Sequence, residues 1–88
     1  MSISVRLSTH LHSYTRGESA VEAEGSTLAE LMVDLDRRFP GIRFRVIDEQ
    51  DRIRPHINVF VRRALVRDLS SPIQPGDDVL ILGALSGG

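Results

Sequence analysis

Few residues in this chain can do chemistry, and the most informative pair is the last one, Gly87-Gly88. With glycine near 7% of residues on average, two terminal glycines arise by chance in roughly 0.5% of chains. A Gly-Gly end carries no side chains, so it can enter a narrow channel and let backbone approach a partner closely. The other candidates are weaker. His10 and His12 stand two apart and His56 lies far along the chain, whereas zinc needs three or four ligands that converge. There is no cysteine, which removes thiol catalysis, thiolate metal sites and disulfides. No glycines frame a serine as a nucleophile elbow, and neither GxxxxGK nor GxGxxG occurs. Asp77-Asp78 follows Pro75-Gly76 and reads as a turn entering a strand. The expectation is a chain with no catalytic or metal site of its own.

Composition narrows the class. A chain of 88 residues holds one domain with a single core. The formal net charge of −1 gives no global pull toward nucleic acid or anionic membrane. No apolar run approaches the roughly 20 residues that span a bilayer, and the start, MSISVRLSTH, lacks a signal peptide's apolar stretch. A cytoplasmic protein is expected. All 11 basic residues are arginine; without a lysine amine, any conjugation of this chain runs through its C-terminus.

The elements that must position the terminal glycines follow from periodicity. Ile3, Val5 and Leu7 alternate with polar residues, the mark of a strand with one buried face. His10 to Gly17 reads as a loop, and Glu18 to Ala23 as a second strand returning in a hairpin. Thr27 and Glu30 fit a capping box. Leu28, Leu31, Met32, Leu35 and Phe39 then recur at helical spacing, Arg37 and Arg38 suit the last turn, and Pro40-Gly41 stops the helix. Residues 42–55 read as an irregular crossing segment anchored by Ile42, Phe44 and Val46 or Ile47. His56 to Val61 is a strong strand, Arg62-Arg63 turns the chain into a short strand at Leu65 to Arg67, and Val79 to Leu82 is the last strand. Two strands, a helix and two or three further strands make an α+β domain with one helix across one mixed sheet of four to five strands. The whole chain, 1–88, is expected to be this domain, with a flexible tail over 83–88.

Alternation in the last two long strands also defines a surface. Ile57, Val59 and Val61 face the helix, so Phe60 faces away from it, and Leu80 and Leu82 point to the same outer side. An apolar patch on the uncovered face of a one-helix sheet suggests a docking surface, with Arg6 and Arg62 placed to rim it.

The segment Asn58-Val59-Phe60-Val61, the turn Pro75-Gly76-Asp77-Asp78-Val79 and the ending Ile81-Leu82-Gly83-Ala84-Leu85-Ser86-Gly87-Gly88 resemble the MoaD/ThiS family of ubiquitin-like sulfur carriers. The likeness spans nearly the whole chain and is densest from residue 56 onward and at Thr27 to Leu31. It implies a β-grasp fold whose first and last strands are parallel neighbours at the sheet centre. It also implies a mechanism: an activating enzyme, an adenylyltransferase of the MoeB/ThiF type using ATP and magnesium, adenylylates the C-terminal glycine. A sulfur donor then gives a thiocarboxylate, which delivers sulfur to an acceptor such as a synthase subunit. On this chain the modified residue is Gly88, the tail is Leu85, Ser86 and Gly87, and Phe60, Leu80 and Leu82 fall where partners dock. The carrier itself would hold neither nucleotide nor metal.

Two positions depart from the family pattern. Arg62-Arg63-Ala64 stands where many relatives have an Asn-Gly type turn. Gly83 stands where many have proline, which implies a tail less constrained at its root. The length and the insert at 42–55 are closer to the MoaD and cysteine-synthesis carriers than to the ThiS type. Molybdopterin, cysteine or another sulfur-containing metabolite are the pathways the resemblance leaves open. The alternatives are a protein modifier joined to targets through Gly88, or an interaction module without group transfer.

Overall fold

The computed structural model describes residues 2–83. Five strands form one mixed sheet: β1 (Ile3–Leu7), β2 (Ala20–Ala23), β3 (Ile57–Val61), β4 (Ala64–Val66) and β5 (Asp78–Gly83). Their order across the sheet is β2-β1-β5-β3-β4. β1 pairs β2 antiparallel and β5 parallel, and β3 pairs both β5 and β4 antiparallel. The two terminal strands are thus neighbours at the centre, the arrangement the family resemblance implies, and the architecture is a β-grasp.

The helix α1 (Leu28–Arg38) begins at the expected cap, Thr27, whose hydroxyl accepts the Glu30 N–H at 3.2 Å. The box closes one residue earlier than expected, since the Glu30 carboxylate accepts the Ser26 N–H (2.9 Å) and hydroxyl (2.6 Å). Leu28, Leu31, Met32 and Leu35 are fully buried and form one cluster with Ile3, Val5, Ile57, Val59, Val79 and Ile81 from the inner sheet face. Burial of such side chains is worth roughly 1.5–3 kcal/mol each. This cluster supplies most of the stability and commits one face of the sheet.

The one buried charge on α1 is Asp34. Burial pushes its carboxyl up, but the Glu24 N–H at 2.9 Å and the guanidinium groups of Arg37 and Arg38 outweigh that and hold it at about 2. Asp34 thereby ties the chain leaving β2 to the last turn of the helix.

Apart from shifts of one or two residues at the ends of β2, β3 and β4, three segments differ from the sequence reading. The expected loop after β1 contains a 3-10 turn, Thr9–Tyr14, which buries Leu11. The crossing segment contains a short helix, α2 (Ile42–Val46). Ile42, Val46 and Ile47 anchor it as expected, but Phe44 does not, being 54% exposed with the Arg54 guanidinium 4.6 Å above its ring. The strand β5 runs from Asp78 through Gly83, one residue beyond the expected Val79–Leu82 at each end, so Gly83 belongs to the strand and not to the expected tail 83–88.

Arg67 closes the loop between α2 and β3. Its guanidinium donates to the carbonyls of Ile57 (2.9 Å), Arg54 (3.0 Å) and Ile53 (3.1 Å). No helix of the described residues is long and apolar enough to cross a membrane.

Candidate functional site

With α1 covering one side, no other element among the described residues covers the other side of the sheet. In register across it run Leu65 of β4, Phe60 of β3, Leu80 of β5 and Arg6 of β1. Leu82 sits one row along, opposite Asn58. Phe60 and Leu80 are half-buried, and Leu82 and Leu65 are 38% and 55% exposed. Arg6, Phe60, Arg63, Asp78, Leu80 and Leu82 line an open depression of about 330 Å³. The structure thus brings Phe60, Leu80, Leu82 and Arg6 together as the alternation requires.

Arg62 lies elsewhere than expected. The link between β3 and β4 is a two-residue hairpin turn, because Val61 pairs Ala64 directly. Both central residues are left-handed, Arg62 at φ 51 and Arg63 at φ 70. This is the mirror-image turn that matches strand twist and normally takes Asn-Gly. In that geometry Arg62 reaches back to the turn before β5 and pairs with the Asp77 carboxylate. Asp77 also accepts the Gln74 N–H at 2.8 Å. The neighbouring Arg63 takes the place at the depression that the sequence had assigned to Arg62.

Leu65 and Arg63 were therefore missed. The signal for both was the turn length: a two-residue loop at 62–63 pairs 61 with 64 and 60 with 65, which puts Leu65 beside Phe60. The sequence reading places the turn at Arg62-Arg63 but starts the next strand at Leu65 rather than Ala64, so its register against β3 is not followed through.

The opposite end of β5 leads to the terminal glycines. Gly83 is the last described residue, and its N–H donates to the Ser8 hydroxyl at 3.1 Å. Ser8 in turn donates its own N–H to the Ile81 carbonyl at 3.0 Å. The tail residues Leu85, Ser86, Gly87 and Gly88 lie outside the described residues. The histidines are apart: His12 Nε2 donates to the Leu7 carbonyl at 3.0 Å, while the His10 ring lies over Gly83. No group of three metal-ligating side chains occurs among the described residues.

A model of the ThiS family matches residues 5–88. The sulfur carrier protein CysO of Mycobacterium tuberculosis is 34% identical over 93 residues, covering all of both chains. The crystal structure of the Amycolatopsis orientalis BexX/CysO complex contains a chain matched at a TM-score of 0.90 and 35% identity, covering 98% of this chain and 99% of that one. Mycobacterium tuberculosis CysO, described as an antigen, matches at a TM-score of 0.89 and 32% identity, over 94% and 99% of the two chains. The family model spans nearly the whole chain and the β-grasp fold is shared with these relatives, so the chain belongs to the ThiS/MoaD family of ubiquitin-like sulfur carriers.

Proposed function

We propose that this chain carries sulfur as a thiocarboxylate on Gly88 and serves cysteine biosynthesis. A carboxylate has a poor leaving group, so it must be activated before sulfur can displace oxygen. A partner enzyme of the MoeB/ThiF type would do this with ATP and magnesium, forming the acyl-adenylate at Gly88 and releasing pyrophosphate. Sulfide then attacks the acyl carbon and AMP leaves with the carboxyl oxygen, or a persulfide does so and a thiol cleaves the resulting acyl disulfide with release of a disulfide. Either way a thiocarboxylate remains on Gly88 for delivery to an acceptor enzyme. The carrier supplies no catalytic group; its part is to be captured and to present its end.

The observation that carries this reading is the position of the uncovered apolar face. Leu80 and Leu82 lie on β5 itself, within three residues of Gly83, so a partner seated on Phe60, Leu80 and Leu82 stands beside the root of the tail. Leu65 extends the apolar row, and Arg6 and Arg63 add positive charge at its edge. Leu85, Ser86 and Gly87 would thread the partner's channel. Full-length likeness to CysO favours cysteine over molybdopterin as the destination, and the BexX/CysO complex is precedent for a carrier of this kind held by a partner protein.

Intact-mass analysis after incubation with the host's activating enzyme, ATP and a sulfur donor tests the reading. The expected result is a gain equal to one oxygen replaced by sulfur, localised to the peptide ending at Gly88. No gain with any activating enzyme of the host, together with full function of a chain truncated at Ser86, would refute it.

A further inference from the structure

The terminal segment leaves the sheet at Gly83, and a glycine there suggests a loose root for the tail. The geometry around Gly83 shows a different arrangement. The parallel ladder between β1 and β5 ends at Leu7 opposite Ile81, and the chain then lifts into the 3-10 turn Thr9–Tyr14. The ladder is nonetheless extended by one side chain, because the Ser8 hydroxyl accepts the Gly83 N–H at 3.1 Å. A proline at 83 has no N–H to give.

The 3-10 turn also carries the half-buried His10 onto Gly83. A Cβ added at Gly83 would lie 2.2 Å from His10 Nε2, 2.4 Å from its Cε1 and 3.0 Å from Ile57 Cδ1. Gly83 is not in the left-handed region, so glycine is required here by close approach rather than by dihedral angle. The imidazole fills the volume that a side chain at 83 would occupy.

We propose that Ser8 and His10 form a collar that fixes where the terminal segment leaves the sheet, and that His10 is a positioning residue for the presentation of Gly88. The proposal rests on the sulfur-carrier reading. Gly88 is five positions beyond Gly83, a reach of at most about 18 Å. A partner docked on Phe60, Leu80 and Leu82 fixes one end of that lever, so freedom at the root spreads the far end over a wide volume. The collar removes that freedom with one hydrogen bond and one ring contact.

The test compares wild type with His10→Ala, Ser8→Ala and His10→Phe, the last keeping a ring over Gly83. Two quantities are read: the backbone heteronuclear NOE of residues 83–86, and kcat/KM for adenylylation with the partner's Kd measured alongside. His10→Ala and Ser8→Ala should lower the NOEs and reduce kcat/KM on the order of ten-fold, the penalty of a poorly placed reacting group, while Kd stays unchanged. His10→Phe should restore both. Amide shifts of β3 and α1 report that each variant is folded. Unchanged NOEs in the folded His10→Ala and Ser8→Ala proteins would overturn the collar. Lowered NOEs with an unchanged kcat/KM would overturn the positioning role. If wild type is not adenylylated at all, the carrier reading falls, and the NOE comparison still decides whether the collar exists.

Discussion

The hairpin turn at Arg62-Arg63 should be strained, and the strain can be read by one substitution. Arg63 has φ 70, where a Cβ crowds the following carbonyl at a cost of roughly 1–2 kcal/mol. Replacing it with glycine removes that cost but loosens the unfolded chain, a penalty of about 0.4–1 kcal/mol. Arg63→Gly should therefore stabilise the fold by about 0.7 kcal/mol, which for a domain of this size raises Tm by roughly 4 °C. The Arg62–Asp77 ion pair is untouched by the change. Arg63→Ala is the control, since it loses the same guanidinium but keeps the Cβ, and it should be no more stable than wild type. Urea unfolding followed by circular dichroism measures all three at constant m. Equal stability of the glycine and alanine variants, or a glycine variant below wild type, would refute the claim that the turn stores strain. On the proposed function, a partner seated at the depression should bind both variants more weakly than wild type and to the same degree, because both lose the Arg63 charge there.

Asp34 should give stability a steep acid limb. Its carboxyl falls from 3.8 to about 2 on folding, so its contribution of about 2 kcal/mol is fully present above pH 4 and lost as pH falls toward 2. Unfolding curves of Asp34→Asn should lack that part of the slope; a wild-type curve parallel to the variant's would contradict it. Arg67→Ala should cost about 2–3 kcal/mol, since the carbonyls of Ile53, Arg54 and Ile57 lose a charged donor, and Arg67→Lys should recover only part of it. The measurement is again equilibrium unfolding, and a loss below 0.5 kcal/mol, the size of an ordinary surface change, would mean that water replaces the guanidinium.

What could be read without coordinates was whatever has a short period. Alternation placed Phe60, Leu80 and Leu82 on the outer face, and helical spacing with Thr27 and Glu30 located α1 to within a residue at its start. The α2 segment escaped for the same reason: Ile42-Arg43-Phe44-Arg45-Val46 alternates like a strand, and a helix of five residues is too short to show a competing period. Phe44 was misjudged because the alternation that makes Ile42 and Val46 inward also nominated the residue between them. The 3-10 turn gave no signal, since Leu11 is its single buried residue. Long-range side-chain work was invisible altogether. Neither Arg67 on three carbonyls nor His10 over Gly83 has a local motif, because the partners meet only when the sheet has closed.

The parallel pairing of β1 with β5 has a consequence for the order of folding. Ser4 pairs Asp78 and Leu7 pairs Ile81, and β5 separates β1 from β3 in the sheet. Until residues 78–83 have been synthesised, β1 and β3 lack the strand between them, and the contacts of greatest sequence separation are those that close the sheet. A nascent chain halted before β5 holds two separate hairpins and an unsupported helix, and its apolar inner face stays open to chaperones and proteases. Completion of the fold therefore certifies that synthesis has passed β5. On the proposed docking, a partner that grips Phe60, Leu80 and Leu82 together engages only chains in which β5 is in place, and passes over those halted before it.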